Sequence, residues 1–316
     1  MNVVYTDNGF GDTEIERQVV EAAGGRLIAH QCKTEEEVLS ISGDADALIV
    51  QWAPVTARVI EALQKRCGLI VRIGIGVDNV DLKAARERGI DVCNVPDYCT
   101  DEVADHTMAL ALSLLRQIGQ TDSRTRRGQW SITPDRPIAA FSSQSFVTVG
   151  FGRIAQAVLE RARGFRFRLG AVDPNVPDEV FSDAGVTRLG LDEAFRRADI
   201  LSMHCGLSDE TYHLVDDARI GMMKPSAVVV NTSRGALVDP RALAGALETG
   251  RIAGAGLDVY EQEPLPEKSP LRSSPNTLLT SHVAWYSTDS IIRLRELAAK
   301  EIVRYINGER PLHIVN

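Results

Sequence analysis

The chain has 316 residues, 44% of them hydrophobic, which is longer than a usual single domain and enough to bury substantial cores, so two domains are expected. A formal net charge of -8 disfavours a nucleic-acid partner, which would need a basic face to displace counterions. No apolar run approaches the roughly 18 residues of a membrane span, and the opening MNVVYTDNGFGDTE lacks a secretory signal, so no membrane partner is expected and the cytoplasm is the default location.

Short apolar runs alternate with helical patterns along the chain. NVVY near residue 4, ALIVQ at 47–51 and LIVRI at 69–73 read as strands buried on both faces. From Asp101 to about Thr121 the apolar spacing predicts one long, buried helix joining two domains, with His106 a core or domain-interface residue. Arg124, Arg126 and Arg127 read as a solvated helix end, and residues 128–144 as a loop. A second series begins at Ser145 with SFVTV, LGAV, DILSMH, AVVVN, GAGLDV and TLLTSH. A last helix, about Ser287 to Gly308, could pack back on the first domain and make it discontinuous. The fold class is therefore α/β, with two doubly wound parallel-sheet domains. Five cysteines, Cys32, Cys67, Cys93, Cys99 and Cys205, form no CxxC pair and have no histidine at metal-ligand spacing, so neither disulfides nor a metal site is expected.

The segment SFVTVGFGRIAQAVLERARGFRFRLGAVDP combines strand, glycine turn, amphipathic helix and second strand. Gly150 permits the tight turn and Gly152 lets a pyrophosphate approach the backbone. The small Ala155 allows close helix packing, and the helix N-terminus offers amides to phosphates. Asp173, 23 residues after Gly150, can accept from both ribose hydroxyls and would repel a 2′-phosphate, so the expected cofactor is NAD.

Three later segments each place a chemically useful side chain just after an apolar strand: Arg234 in NTSRGALVD, Glu263 in LDVYEQEP and His282 in TSHVAW. Singly each has a duller reading: a capping group, a solvated turn, a structural histidine. Together they supply what hydride transfer to a keto acid needs: a cation for the carboxylate, an acid for the carbonyl oxygen, and a carboxylate to tune that acid.

Through RIGIGVDNVD, VGFGRIA with Asp173, NTSRGALVD, LDVYEQEP and SHVAWYS, the sequence resembles the D-isomer-specific 2-hydroxyacid dehydrogenase family over nearly its whole length. Within it, MHCGLSDETYHLV and HVAWYS most resemble the C-terminal binding protein branch. The resemblance implies a flavodoxin-like substrate domain (residues 1–100 plus 285–316), an inserted Rossmann NAD-binding domain (101–284), and a homodimer. It also implies that Arg234 holds the substrate, that Glu263 pairs with His282 and that His282 is the acid/base. The amides of Ile75 and Gly76 would hold the substrate carboxylate, with Arg72 in the same loop. Asp258 would accept from the nicotinamide carboxamide, and Thr232 and Ala284 would line the nicotinamide, with Arg153, Ile154, His204, Cys205 and Thr211 also on the cofactor side. Two departures stand out. The stretch before the glycine motif reads AAFSSQSF, where the family carries something like LxGKTLGIIG, and the third glycine is Ala155.

Trp52 and Trp285 could wall a small 2-keto or 2-hydroxy acid with an apolar side chain. A turn reading Gln51-Trp52-Ala53-Pro54, without the arginine usual in phosphoglycerate dehydrogenases, disfavours a phosphorylated substrate. Reduction of glyoxylate or hydroxypyruvate, or an NADH-sensing binding role with little turnover, are the alternatives.

Overall fold

A computed structural model describes residues 1–316, which form two compact units: Met1–Cys99 with Ser287–Asn316, and Thr100–Tyr286. In chain order the first unit holds β1 (Asn2–Tyr5), α1 (Glu14–Ala22), β2 (Arg26–Ala29), α2 (Glu35–Ile41), β3 (Ala47–Val50), α3 (Ala57–Ala62), β4 (Leu69–Arg72), α4 (Leu82–Glu87) and β5 (Asp91–Cys93). The second holds α5 (Thr100–Leu115), α6 (Ile118–Arg126), β6 (Ser145–Val149), α7 (Arg153–Gly164), β7 (Arg168–Val172), α8 (Asp178–Asp183), β8 (Thr187–Arg188), α9 (Leu191–Arg197), β9 (Ile200–Met203), α10 (Asp217–Ile220), β10 (Val228–Asn231), α11 (Pro240–Glu248), β11 (Gly254–Leu257) and β12 (Thr277–Leu279). The chain then returns to the first unit as α12 (Thr288–Ile306).

The first sheet is entirely parallel in the order β2-β1-β3-β4-β5. This is the flavodoxin-like order, which reverses between β1 and β3. β3 is buried along its whole length, as a strand covered by helices on both faces must be. Ser287 starts α12 with a capping box to Ser290. Arg295, midway along the helix and 4% exposed, grips the fully buried Glu16 of α1 through two nitrogens, at 2.9 and 2.8 Å, and reaches Asp12 at 2.8 Å. That bidentate pair fastens the returning helix to the N-terminal segment.

The second sheet is also parallel, ordered β12-β11-β10-β9-β6-β7-β8, the Rossmann arrangement with its reversal between β6 and β9. One core side joins β6, β9 and β10 to α9 and α11 through Val147, Leu201, Val229, Phe195 and Leu243. The other packs α5 and α7 on the sheet through Leu110, Leu114, Phe146, Val158 and Ile200.

The long helix expected from Asp101 to Thr121 is two helices. α5 ends at Leu115, and Gln117 adopts a left-handed conformation with φ 54° before α6 begins. The cause lies outside the helix. The buried Gln117 amide donates to the Arg136 carbonyl at 2.8 Å, and its oxygen accepts the Arg136 N–H at 3.3 Å, so the loop before β6 captures the chain there. At the end of α6, Arg124 pairs with Asp135 and Arg126 with Asp122.

Candidate active site

The glycine turn follows β6 at the point where the second sheet reverses. Gly150 has φ 101°, and a Cβ there would fall 2.5 Å from the His204 carbonyl oxygen, so only glycine lets the loops after β6 and β9 meet. The His204 N–H in turn donates to Val149 at 2.7 Å. At Gly152 an added Cβ would meet nothing within 4 Å, and α7 starts there without a side-chain cap. Open space before uncapped helical amides is what a pyrophosphate requires. Arg153 is exposed and Ile154 partly buried at this same start.

Asp173, at the end of β7, accepts the Phe151 N–H at 3.0 Å through one oxygen and the Asn175 N–H at 3.0 Å through the other. The acid thus holds the glycine loop in place. His204 contacts Ser202 at 2.8 Å, and burial depresses its imidazole to about 3, which keeps it neutral. Burial also pushes the neighbouring Cys205 thiol up to about 11. Thr211 closes the adjacent turn by donating to Gly206 at 2.8 Å and accepting from the Ser208 N–H at 2.7 Å.

Arg234 follows β10. Asn231, buried, donates to the Arg234 carbonyl at 2.8 Å and accepts from the Ser233 N–H at 3.0 Å, while Ser233 donates to the Cys205 carbonyl at 2.8 Å. The next residue must be glycine, because a Cβ at Gly235 would lie 1.8 Å from the Tyr260 carbonyl carbon. This contact lays the arginine turn against the Tyr260–Glu263 segment. Thr232 reaches Thr107 of α5 at 2.8 Å, and since Thr107 spends its only proton on the Val103 carbonyl, Thr232 is the donor.

His282 sits with φ 56°, an uncommon conformation for a residue with a side chain. Asp258, 1% exposed, holds it there. Its carbonyl accepts the His282 N–H at 2.7 Å, one carboxylate oxygen accepts from Thr280 at 2.6 Å and the Val283 N–H at 3.0 Å, and the other accepts the Ala284 N–H at 2.9 Å. His282 Nδ1 lies 2.7 Å from Glu263 Oε2. A carboxylate only accepts, so Nδ1 carries the proton on that side of the ring. The other Glu263 oxygen accepts the Tyr260 N–H at 2.9 Å. Burial works to raise the Glu263 carboxyl, but its bonds to His282 and Tyr260 outweigh it and hold the group below the usual carboxylate range. Trp285 donates through its indole to the His282 carbonyl at 2.7 Å and so braces the same turn.

Three groups here escape sequence reasoning. His106 of α5, read from the sequence as a core or domain-interface residue, contacts Thr280 at 3.0 Å and approaches Asp258 to 3.7 Å, which makes it part of the support of the His282 turn. Tyr260 donates to the Thr280 carbonyl at 2.8 Å. Tyr212 and His213 stack at 4.0 Å and both reach Glu261, at 2.7 and 3.1 Å, two residues before Glu263. No local pattern marks these, because each partner comes from a distant segment.

In the first unit, Trp52 follows β3 and is 51% exposed, with the Arg72 guanidinium 5.2 Å above its ring. The loop carrying Ile75 and Gly76 is anchored by its carbonyls: Val95 N–H donates to Gly74 at 2.9 Å and Asn94 to Ile75 at 2.7 Å. No group of three or more His, Cys, Asp or Glu side chains could hold a metal ion, and no helix is long and apolar enough to cross a membrane.

A Rossmann sheet with an open glycine turn, next to strand ends that present an arginine and a histidine–carboxylate pair, defines a dinucleotide-dependent oxidoreductase. Residues 108–284 match the family model of the D-isomer specific 2-hydroxyacid dehydrogenase NAD binding domain, and the chain belongs to that family. It is 36% identical to a glyoxylate reductase of Korarchaeum cryptofilum over 86% of this chain and 83% of the relative. It is also 36% identical to a D-3-phosphoglycerate dehydrogenase of Methanocaldococcus jannaschii over 90% of this chain, which spans 54% of that protein. A D-lactate dehydrogenase of Aquifex aeolicus, solved with NAD and lactic acid, superposes with a TM-score of 0.88 at 25% identity, covering 98% of this chain and 96% of the other. The protein is thus an NAD-dependent oxidoreductase that interconverts a D-2-hydroxy acid and its 2-keto acid.

Proposed function

We propose that Arg234, Glu263 and His282 carry this reaction and that the preferred substrate is a small 2-keto acid with an apolar side chain. The observation that carries the assignment is the 2.7 Å contact of Glu263 with His282 Nδ1, on a turn that Asp258 holds. NAD, when bound, supplies or takes up the hydride at the substrate's C2. The residues of the chain do the rest. Arg234 grips the substrate carboxylate with its planar fork, and His282 Nε2 gives a proton to the carbonyl oxygen in reduction and takes it back in oxidation. Glu263 fixes the ring and the tautomer.

For the cofactor, the Gly150–Ile154 turn would take the pyrophosphate and Asp173 the ribose hydroxyls. His204, Cys205 and Thr211 would border it on the β9 side, and Thr232, Asp258 and Ala284 would face the nicotinamide. The Asp258 oxygen that holds Ala284 retains a lone pair for the carboxamide. In the first unit, the Ile75 and Gly76 amides would receive the substrate carboxylate and Arg72 would add charge. Trp52, beside that loop, would border the side chain.

A second reading is glyoxylate reduction, favoured by the 36% identity to the Korarchaeum cryptofilum glyoxylate reductase. NADH consumption against glyoxylate, pyruvate, hydroxypyruvate, 4-methylthio-2-oxobutyrate, phenylpyruvate and 3-phosphohydroxypyruvate separates the readings, with His282→Ala as control. Fastest turnover of an apolar keto acid supports the first reading, and of glyoxylate the second. Tight NADH binding without turnover of any would point to the NADH-sensing role of the C-terminal binding protein branch. We also propose a homodimer: Trp130 and Ile132, 85% and 93% exposed on the loop before β6, form the apolar surface a second copy would cover.

A further inference from the structure

The turn Gln51–Ala53 lies beyond the carboxyl end of β3, and Asp7 lies beyond that of β1, the two strands between which the first sheet reverses its order. Such a reversal is where parallel sheets receive ligands. The polar backbone of this turn is claimed from two sides. Asp7, 6% exposed, accepts the Gln51 N–H at 3.0 Å and the Thr6 hydroxyl at 2.7 Å with one oxygen, and the Trp52 N–H at 2.6 Å with the other. Asn79 donates its amide to the Ala53 carbonyl at 2.9 Å and to the Gln51 carbonyl at 3.5 Å. The Gln51 side chain, also buried, accepts the Gly9 N–H at 2.7 Å. A Cβ at Gly9 would come within 3.2 Å of that oxygen, a tight approach.

Asn79 belongs to the segment that leaves the Ile75–Gly76 loop, and its carbonyl accepts the Val55 N–H at 2.8 Å. The Trp52 turn and the loop are therefore braced as one piece. Arg72 closes it from β4, lying over the Trp52 ring in space that only Gly74 leaves open, since a Cβ there would fall 1.5 Å from the guanidinium.

We propose that Asp7 and Asn79 are positioning residues that set which substrate side chains are accepted, by fixing the distance from the carboxylate-binding loop to the Trp52 ring. The proposal rests on the assignment of Ile75, Gly76 and Trp52 to the substrate made above. A keto acid anchored at its carboxylate projects its side chain a set distance, so a displaced ring is felt by a bulky substrate and ignored by glyoxylate, which has no side chain.

The test compares Asp7→Asn and Asn79→Ala with the wild type on glyoxylate and phenylpyruvate, together with NADH affinity by fluorescence. Asp7→Asn keeps the shape but turns an amide donor toward a backbone N–H. The expected result is a change of about tenfold or more in the phenylpyruvate-to-glyoxylate ratio of kcat/KM, carried by KM, with glyoxylate turnover within about threefold and NADH affinity unchanged. In a Trp52→Ala background the same substitutions should no longer move the ratio. An equal loss on both substrates, or an unmoved ratio in a folded variant, overturns the proposal. If Asp7→Asn does not fold, Asn79→Ala decides. If the wild type reduces no keto acid, the functional reading fails, and Trp52 mobility tests the bracing separately. With Trp130→Phe and Trp285→Phe leaving Trp52 as the sole tryptophan, either variant should raise its quenching by acrylamide, and unchanged quenching would refute the brace.

Discussion

At the scale of single residues, the geometry around His282 costs backbone strain that its neighbours offset. A left-handed histidine is unfavourable unless the surroundings over-determine it, and Asp258 does so with bonds from four donors. Replacing His282 with Ala should lower kcat on the order of 10²- to 10⁴-fold, the usual contribution of a general acid, with NADH affinity retained. Wild-type turnover in that variant would remove His282 from the chemistry. Arg234→Lys should cost roughly 10- to 1000-fold in kcat/KM, because an ammonium does not reproduce the planar fork. The Glu263 carboxyl is held below its usual range in the folded protein. Its contribution to stability is therefore fully present above the unfolded carboxylate value, about 4.3, and is lost as pH falls through the lowered folded value. The Tm gap between wild type and Glu263→Gln should accordingly be widest near neutrality and shrink below about pH 4. A gap that grows in acid would contradict this sign.

At the scale of elements, the central strands were legible in the sequence because β3, β9 and β10 are apolar runs buried along their whole length, whereas β2, β5 and β8, short and partly or wholly exposed, carry no such run and were not legible. The sheet reversal after β6 was signalled by the glycine turn, since Gly150 is a position no other residue fits. What escaped was set by tertiary contact. Gln117 is an ordinary helix residue by sequence, and where the chain leaves the helix its side chain exchanges two hydrogen bonds with the distant Arg136 backbone. His106 reads as a core or domain-interface histidine, and its contact with Thr280, 174 positions away at 3.0 Å, is seen only in the fold. Asp7 belongs to no motif at all, since its partners Gln51 and Trp52 are backbone amides, invisible in a string of side chains. Gly235 shows the opposite case, a glycine whose reason is readable only in three dimensions. Gly235→Ala would drive a methyl into the Tyr260 backbone, so that either the Arg234 turn or the Tyr260–Glu263 segment must move. The expected result is a drop in kcat/KM with NADH affinity largely kept, together with a lower Tm. An unaltered enzyme would mean that the two segments need not touch.

At the scale of the whole molecule, the fold depends on a chain end returning to where the chain began. α12 closes the first unit through the buried Arg295–Glu16 pair, and the last residues add to the sheet edge, where Val315 N–H donates to Val92 at 2.9 Å. Burying two charges is favourable only while both remain, so Glu16→Gln leaves Arg295 short of compensation. Such broken buried pairs typically cost about 3–5 kcal/mol. Residual pairing to Asp12, at 2.8 Å, places the expectation at the lower end of that range. Chemical denaturation followed by circular dichroism should show the loss, and a variant as stable as the wild type would mean the pair is dispensable. The proposed dimer makes an independent prediction. Two large apolar side chains left in water two residues apart on one loop are unfavourable unless covered. Trp130→Ser combined with Ile132→Ser should therefore convert a dimer to a monomer by light scattering, without lowering the monomer's own stability, because neither side chain is buried within the chain. A dimer that survives both substitutions would place the interface elsewhere, and a wild type that is monomeric at every concentration would exclude it.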